Sequence, residues 1–555
     1  MKNGISTILF DMGGTLRGSK KRSREDRLHY TREILEILNT SDDPDGFSAM
    51  LARRLVAYRK WARETMIELN EADLWTRWML PEWPQDLVRS NAVKLNLLWR
   101  EATGERIVFP ETAEVIKELF RRGYRLGLVS NTTSSVEAPN ALKKLRLTGY
   151  FETIVLSAVV GKRKPDPRIL LEATTIMGVN PAECAYVGDI PERDVAAARL
   201  AGFKLAVLIN NPETGRKIRP SVEGLEPDHS ITNLKDLFPY FPPRNAPDPA
   251  IRYMASLSSM WGIGNFQSLE DFLEAARRLG FEYVELNHQV DSSMLEGIGR
   301  LRKKISSVHE PCPADISAAE YKNRDWLISS TNEEYRAEGV GSIKRSLDLA
   351  YEVKAKYIVV HAGNVQQDHS VEDRLRTLFV RGDKSSQAYA DIKNELIEKR
   401  KRLESARFLA LKRSIQELLD YAKPLGVQLG LENRSHFLEI PVPEELDELL
   451  AMAEPGRIGF IFDVGHAAAL DRLGFYPTDT WLKQFGQRII GVHIHDMDGL
   501  DDHIAPGSGD MDYRELSPYL PEKACRVIEV QNHNNYQQIR TGLVVLHQSG
   551  CIKKM

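Results

Sequence analysis

Four short segments near the start of the chain carry the groups that phosphoryl transfer requires. Asp11 offers a carboxylate nucleophile, and the glycines that follow it let backbone amides approach an anionic oxygen. Ser130 supplies a hydroxyl donor, and Lys164 supplies a cation that neutralises charge on the transferred group. Asp189, with Asp194 soon after it, adds carboxylates of the kind that bind a metal. The candidate catalytic residues here are Asp11, Ser130 and Lys164, and the candidate substrate-binding residues are Gly13, Gly14 and Asn131.

Histidines and carboxylates recur at the ends of six apolar runs in the second half of the chain. A lone histidine at such a place is usually a hydrogen-bonded polar residue. Many imidazoles and carboxylates gathered in one apolar mouth are different, because they need a cation to offset the cost of their burial. The sequence therefore predicts a metal site. Its candidate ligands are His309, His361, Glu432, Asp463, His466, His493, Asp501, His503 and Glu529, and His466 and His495 are candidates for substrate binding.

These groups require a fold that brings the ends of several strands together. In the first half, the strand-like runs Ile5–Phe10, Arg125–Val129 and Ala185–Val187 alternate with helical segments, a pattern typical of a doubly wound, Rossmann-like α/β sheet. Open sheets of this kind bind ligands at the carboxyl edge of their strands, where Asp11 lies. A helical insertion at residues 18–106 holds five of the eight tryptophans, which predicts a small helical core.

A proline-rich stretch at residues 241–250 is predicted to be a linker, because prolines disfavour both helices and central strands. The first domain is then residues 1–240, with its core at 1–17 and 107–240. Residues 251–555 contain eight apolar runs separated by helix-length segments, which favours a closed (β/α)8 barrel whose strand ends meet at one mouth. The eight runs are Tyr253–Leu257, Tyr283–Leu286, Ile305–Val308, Tyr357–Val360, Val427–Leu431, Ile458–Phe462, Ile489–Ile494 and Arg526–Val530.

One connection between these runs, residues 366–424, is unusually long. It includes the basic run Lys399–Arg402 on a predicted helix. Such a run indicates a solvated helix face, and a long connection is also compatible with a lid over the barrel mouth.

The segments around Asp11, Ser130, Lys164 and Asp189 resemble, in order and spacing, the four motifs of the haloacid dehalogenase superfamily, across the whole first domain. The resemblance implies that Asp11 is the nucleophile and that Ser130 and Lys164 hold the phosphoryl group. It also implies that Mg²⁺ binds Asp11 and Asp189, with Asp194 in support. The helical insertion then corresponds to the cap that selects the substrate in that family.

Gly13 departs from the pattern of that family. Its phosphatases usually carry a second aspartate two residues after the nucleophile, which protonates the leaving oxygen and later activates water. Gly13 stands at this position. Loss of a general acid and base commonly lowers a rate by about 10²- to 10⁴-fold. We therefore expect a slow phosphatase, an enzyme for substrates with a good leaving group, or a domain that only binds or supports.

The strand-end residues of the second domain resemble the xylose-isomerase-like barrel superfamily, which includes sugar isomerases, epimerases and apurinic endonucleases. The residues that match the ligands shared across this superfamily are Glu432, Asp463, His493 and Glu529. A second set matches positions at which the endonuclease branch holds further zinc ions, although isomerases often retain several of them. This set is His309, His361, His466, Asp501 and His503.

Two chemistries are compatible with this resemblance. In an isomerase or epimerase, a divalent ion binds the carbonyl and the adjacent hydroxyl of a sugar, and Glu432 and Glu529 are the candidate catalytic proton carriers. Such a site suits Mn²⁺, Mg²⁺ or Co²⁺ better than Zn²⁺. In a phosphoester hydrolase, the extra histidines complete a cluster of Zn²⁺ ions that generates hydroxide. We expect the isomerase or epimerase, and a hydrolase or a barrel without catalysis are the alternatives.

Composition limits the expected partners. The chain has 42% hydrophobic residues, no apolar run that spans a bilayer and no leader-like start, so we expect a cytoplasmic enzyme without a membrane partner. From residue 251 onward, 38 Lys and Arg stand against 45 Asp and Glu, which disfavours nucleic acid without excluding it. The expected ligands are a small sugar or sugar phosphate, and a homo-oligomer is compatible with the sequence. The predicted protein is a bifunctional enzyme of carbohydrate metabolism.

Overall fold

The structure is a computed structural model that describes residues 4–212, 223–296 and 304–555, except for the side chains of residues 403–405. Its backbone divides into two compact units, Met1–Pro247 (the first unit) and Asp248–Met555 (the second unit). The division falls inside the proline-rich stretch. No helix in the described part of the chain combines the length and the apolar content that crossing a bilayer requires.

The first unit is built on a parallel sheet. Its strands are β1 (Thr7–Phe10), β2 (Arg17–Lys20), β3 (Glu105–Val108), β4 (Arg125–Ser130), β5 (Phe151–Leu156), β6 (Cys184–Gly188), β7 (Leu205–Ile209) and β8 (His229–Ile231). Six of them form the sheet in the order β5-β4-β1-β6-β7-β8, and β2 pairs with β3 as a separate antiparallel ribbon. Because β1 lies between β4 and β6 and is wholly buried, Asp11 emerges at the centre of the carboxyl edge. The predicted Rossmann-like core is confirmed.

Helices flank this sheet and fill the insertion between β2 and β3. They are α1 (Arg24–Ile37), α2 (Pro44–Thr65), α3 (Glu71–Leu74), α4 (Gln85–Thr103), α5 (Thr112–Arg121), α6 (Glu137–Lys144), α7 (Ser157–Val160), α8 (Arg168–Met177) and α9 (Ala196–Leu200). The helices α1 to α4 share a hydrophobic core of their own, in which Trp75 and Trp99 are buried. The insertion is therefore a separately packed helical layer joined to the sheet by the β2–β3 ribbon.

The second unit is a closed barrel of eight parallel strands. Its strands are β9 (Tyr253–Ser258), β10 (Phe281–Leu286), β11 (Ile305–His309), β12 (Tyr357–Val360), β13 (Gln428–Glu432), β14 (Ile458–Asp463), β15 (Ile489–Ile494), β16 (Asp496–Asp498), β17 (Asp501–Ile504) and β18 (Cys525–Ile528). The hairpin β16–β17 lies outside the barrel sheet, between β15 and β18. All eight predicted runs correspond to barrel strands, with ends that differ by at most two residues. The predicted (β/α)8 barrel is confirmed.

Helices connect the barrel strands. They are α10 (Ser259–Gly262), α11 (Leu269–Leu279), α12 (Ser292–Leu295), α13 (Ala318–Asn323), α14 (Glu333–Val353), α15 (Ser370–Val380), α16 (Gln387–Leu425), α17 (Pro443–Leu450), α18 (Val464–Arg472), α19 (Thr478–Phe485), α20 (Tyr513–Leu516) and α21 (Tyr536–Gln548). The long connection forms α15 and the 39-residue α16, which pack on each other.

The basic run on α16 is not simply a solvated face. Arg400 is only 4% exposed and forms an ion pair with Glu445 at 2.6 Å. It also donates hydrogen bonds to the carbonyl groups of Phe437 and Glu439, in the loop after β13. The prediction of a solvated face is wrong for Arg400, because α16 crosses this loop and the guanidinium satisfies its buried carbonyls.

Candidate active sites

The barrel mouth brings together the four ligands shared by the resembled superfamily. One ligand atom from each of Glu432, Asp463, His493 and Glu529 lies within 4.8 Å of the others, and all four residues are buried. His493 Nδ1 lies 2.7 Å from Glu432 Oε1 and 2.8 Å from Glu529 Oε2. Despite these short distances, His493 Nδ1, Glu432 Oε1 and Glu529 Oε1 make no hydrogen bond of good angular geometry among the described residues. Buried donor atoms without partners, gathered around one point, fit a divalent cation.

The electrostatics at this point also favour positive charge. Burial lowers the pKa of His493, but Glu529 and Glu285 raise it, and the balance lies well above the usual value. The carboxylates therefore stabilise a cation at this ring. A metal bound at Nδ1 would supply that charge while the imidazole stays neutral.

Glu285 contacts the other ring nitrogen of His493. This buried carboxylate stands on β10, accepts a hydrogen bond from Ser307 Oγ at 2.6 Å and lies 3.2 Å from His493 Nε2. A carboxylate that binds the far nitrogen of a ligand histidine fixes the ring and directs its other nitrogen at the metal. Glu285 could not be predicted from the strand-end pattern, because it is the penultimate residue of β10.

A second histidine orients Asp463. The backbone N–H of His503 donates to His495 Nδ1 at 2.9 Å, so the ring carries its proton on Nε2. That nitrogen lies 3.0 Å from Asp463 Oδ1. His495, a predicted substrate-binding residue, therefore contacts the candidate ligand Asp463.

A cavity of about 420 Å³ opens above these residues. His361 lies at its wall with Nε2 3.0 Å from Glu432 Oε2, and its ring centroid is 4.6 Å from that of His309. Burial lowers the pKa of His309 well below its usual value and that of His288 to about 4, so both rings are neutral at pH 7. His466 lines the same cavity, with Nδ1 3.0 Å from the carbonyl oxygen of Asn433.

The hairpin β16–β17 places one predicted ligand, Asp501, away from the cavity. Asp501 is exposed and lies opposite Asp498 in the hairpin, whereas Asp502 lines the cavity and lies 2.7 Å from His503 Nδ1. Successive side chains of a strand point to opposite faces, so only one of the two adjacent aspartates faces the mouth. The structure places Asp502 there instead of Asp501.

Arg434 is a further cavity residue that the sequence analysis assigned no role. It forms ion pairs with Glu432 and, at 3.3 Å, with Glu439. Burial lowers the pKa of Arg434, but the two glutamates raise it above its usual value, so it keeps its charge. A fixed positive charge beside Glu432 stabilises the carboxylate form of that residue.

The predicted segments of the first unit also converge. Lys164 Nζ lies 2.8 Å from Asp11 Oδ1 and 2.8 Å from Asp194 Oδ1. Ser130, Gly13 and Gly14 line a cavity beside them. Asn131 lines it too, but its side chain donates to the carbonyl oxygen of Lys164 at 2.9 Å and accepts from the Lys164 N–H at 2.8 Å. Its amide group therefore positions Lys164, although it was predicted to bind substrate.

Arg193 occupies the space between the three acidic residues of this site. Its Nη2 lies 2.8 Å from Asp11 Oδ2, from Asp189 Oδ1 and from Asp194 Oδ2. Burial lowers the pKa of Arg193, but Asp11 and Asp194 raise it well above the usual value. Three converging carboxylates are hard oxygen donors that fit Mg²⁺, so an ion there would replace the guanidinium. Sequence analysis missed Arg193, since its place among the acids depends on the path of the chain after β6.

Gly13 leaves open space next to the nucleophile. A Cβ built on Gly13 meets no atom within 4 Å, and Gly13 does not adopt a positive φ. The first carbon of an aspartate side chain therefore fits at this position without backbone strain.

We expect Glu285→Gln to weaken metal binding in the barrel by about 10- to 100-fold, because the amide orients His493 less firmly. Co²⁺ titration followed by visible absorbance measures this, with Asp11→Asn and Asp189→Asn present in every protein to silence the first unit. Glu282→Gln, on the same strand but paired with Lys304, is the matched control. Equal Co²⁺ affinities in the background protein and in its Glu285→Gln and Glu282→Gln variants would contradict the role of Glu285.

Arg193→Gln is expected to tighten Mg²⁺ binding to the first unit by on the order of tenfold or more, because the carboxylates lose a competing cation. Calorimetric titration measures the change, with Glu432→Gln and Asp463→Asn in both proteins so that the barrel does not contribute. An unchanged dissociation constant would show that Arg193 does not compete with the ion.

Known proteins resemble each unit separately. The family model for haloacid dehalogenase-like hydrolase matches residues 5–202, and the model for xylose isomerase-like TIM barrel matches residues 273–543. Phosphoserine phosphatase of Thermus thermophilus is 29% identical over 238 residues, which cover 38% of this chain and 92% of that relative. Phosphoglycolate phosphatase 1 of Pseudomonas aeruginosa is 33% identical over 132 residues, which cover 24% of this chain and 46% of that relative.

A crystal structure of a D-tagatose 3-epimerase-like protein is 20% identical, with a TM-score of 0.37, and the match covers 53% of this chain and 96% of that protein. The family matches fall on the two units in the order predicted from the motifs. The chain therefore joins a haloacid dehalogenase-like hydrolase domain to a xylose isomerase-like TIM barrel.

Proposed function

We propose that the barrel is a metal-dependent isomerase or epimerase of a sugar or polyol, or of its phosphate. The observation that carries this proposal is the convergence of Glu432, Asp463, His493 and Glu529 at the floor of the cavity. Glu432 ends β13 and Glu529 follows β18, so the two glutamates approach His493 of β15 from different sides. Two carboxylates on different sides of a substrate carbon suit removal and return of a proton.

When bound, a divalent cation would polarise the carbonyl and the adjacent hydroxyl of the substrate and so acidify the C–H bond between them. Mn²⁺, Mg²⁺, Co²⁺ and Zn²⁺ are the candidates for this set of three carboxylates and one imidazole. Glu432 and Glu529 accept the proton from the substrate carbon and return it to the same or the neighbouring carbon. Arg434 and His361 position Glu432 for this task.

His466 is placed to bind a substrate hydroxyl. Its Nδ1 donates to the carbonyl oxygen of Asn433, so Nε2 carries the lone pair of the neutral ring. Burial lowers the pKa of His466, which keeps the ring neutral at pH 7. A substrate hydroxyl in the cavity can therefore donate a hydrogen bond to Nε2.

We propose that the first unit hydrolyses a phosphoric monoester. Asp11 attacks phosphorus and forms an aspartyl phosphate while the alcohol leaves, and water then hydrolyses this acyl phosphate to release inorganic phosphate and restore the Asp11 carboxylate. Ser130 and Lys164 hold the phosphoryl oxygens, and Asp11 and Asp189 would hold Mg²⁺, which supplies further neutralising charge. The two curated relatives are named as phosphatases, which supports this reaction class. With glycine at position 13, the leaving oxygen takes its proton from water, so substrates with good leaving groups react fastest.

A metal-dependent phosphoester hydrolase is the second candidate for the barrel. The position of His309 and His361 beside Glu432 favours it, because these groups suit a second ion. Asp501 lies outside the cavity and Asp502 lines it, so one of the ligands predicted for further ions is replaced by its neighbour. One ion per barrel supports the isomerase, whereas two or more, together with phosphodiesterase activity, support the hydrolase.

Gly13→Asp is expected to raise kcat for p-nitrophenyl phosphate and, more strongly, for an alkyl phosphate. The gain should be about 10- to 100-fold for the alkyl ester, because a poor leaving group depends most on a general acid. Asp11→Asn should abolish both activities in steady-state assays. Hydrolysis that survives Asp11→Asn would remove Asp11 from the mechanism.

For the barrel, we expect Glu432→Gln and Glu529→Gln each to abolish exchange of a carbon-bound proton of a ketose with D₂O, measured by NMR. The amide lacks a basic oxygen, so the rate should fall by about 10²-fold or more. Asp11→Asn is the matched control and leaves the exchange unchanged. Cleavage of an abasic duplex without any exchange would contradict the isomerase proposal, and metal analysis of the same samples counts the ions.

A further inference from the structure

The cavity beside Asp11 contains more positive charge than one phosphoryl group requires. It has a volume of about 350 Å³, and Gly13, Gly14 and Ser130 line part of it. Four arginines line it as well, and none of its described lining residues is acidic. They are Arg17 of β2, Arg59 of α2, Arg100 of α4 and Arg106 of β3.

One glutamate outside the cavity wall partly neutralises this arginine cluster. Glu137 lies 2.8 Å from Arg17 Nη2, 2.8 Å from Arg100 Nε and 3.2 Å from Arg106 Nε. Arg59 has no ion-pair partner within the part of the chain that the structure describes, and the buried Nε of Arg17 has no hydrogen-bond partner there. The four arginines and Glu137 together carry a net charge of +3, and two other acids that attract them, Glu68 and Glu101, do not line the cavity.

The positive charges of the four arginines also repel one another. Burial and the neighbouring Arg100 lower the pKa of Arg106 to about 10, and burial lowers the pKa of Arg17. Burial opposes ionisation of Glu137, but Arg100 and Arg17 lower its pKa to about 2. Glu137 is therefore fully ionised at pH 7 and can supply no further negative charge to the arginines. Half-buried like charges of this kind are stabilised when an anion binds between them.

We propose that the substrate of the first unit carries a second anionic group, a carboxylate or a second phosphate, which binds to the arginine cluster. The inference rests on the proposed phosphatase reaction and adds its substrate class, a small phosphorylated acid or a bisphosphate. Ser130 and Lys164 hold the reacting phosphoryl group, and the planar guanidinium groups of the cluster offer paired donors to the second anion. The arginines come from both the helical insertion and the β2–β3 ribbon, so both parts recognise the substrate.

The test compares matched substrates that differ only in the second anion. Phosphoglycolate is compared with ethyl phosphate, and propane-1,3-diol bisphosphate with propyl phosphate. We expect kcat/KM to favour the member with the second anion by about 10- to 100-fold in at least one pair, as expected for hydrogen bonds to charged groups. The pair with the larger ratio identifies the second anion as carboxylate or phosphate.

Arg59→Gln should reduce this ratio towards one, whereas Arg53→Gln should leave it unchanged, because Arg53 is on the same helix but does not line the cavity. A fall of equal size for both members of a pair would show that Arg59 binds the reacting phosphoryl group, and the proposal would be overturned. Equal kcat/KM values within both pairs in the unaltered protein would overturn it as well.

A binding measurement separates this proposal from the phosphatase proposal. In Asp11→Asn protein, which forms no aspartyl phosphate, calorimetric titration compares the same ligands. Tighter binding of the doubly anionic member, lost in Arg59→Gln, supports the arginine cluster as an anion site even if the unaltered protein hydrolyses none of the four esters. Equal affinity for both members of each pair overturns the cluster as a recognition site, whatever the hydrolysis assay shows.

Discussion

Carboxylates buried away from water must be neutralised, and this constraint determines the arrangement of both sites. In the second unit, Glu285, Glu432 and Glu529 are buried around His493, and the unpartnered oxygens and Nδ1 face one point. In the first unit, Asp11, Asp189 and Asp194 meet two cationic side chains, Lys164 and Arg193. In the barrel, Arg434 pairs with Glu432, but no Lys or Arg among the described residues forms an ion pair with Glu285, Asp463 or Glu529, whereas in the first unit Lys164 and Arg193 together reach all three acids. This difference supports the proposed cation in the barrel and the proposed competition between Arg193 and an ion in the first unit.

In the barrel, residues that contact the candidate metal ligands hold these ligands in fixed orientations. In the barrel, Glu285 binds one nitrogen of His493 and so leaves the other for the ligand cluster. The loop after β13, which carries Arg434, is held in turn by Arg400 from α16 and by Glu372 of α15, whose carboxylate accepts the N–H groups of Phe437 and Leu438. The long connection between β12 and β13 thus supports the site from outside the mouth. It acts on Glu432 through the loop that follows this residue.

The fold and the central ligands could be predicted because parallel strands deliver their carboxyl ends to a common place. Apolar runs marked the eight barrel strands, and the groups directly after them included Glu432 and His493. The position of Asp501 could not be predicted in the same way, since it depends on the register of the short hairpin β16–β17, where Asp502 faces the cavity.

Residues whose role depends on contacts between distant segments were also missed. Glu285 meets His493 across 208 positions of sequence, and Arg193 meets Asp11 across 182. Neither stands in the position that marks a strand-end ligand. Arg400 was assigned to solvent because a basic run on a helix gives no sign of the buried carbonyl groups that it meets.

Arg193 has a consequence for how the first unit would respond to the loss of a divalent ion. A site of three aspartates that relied on the ion alone would lose its counter-charge in a chelator, and mutual repulsion would loosen the carboxyl edge of the sheet. Here a guanidinium tethered to the same chain takes over that charge at 2.8 Å from each acid. We therefore expect a chelator to leave the carboxyl edge of the sheet folded, because this counter-charge belongs to the chain itself.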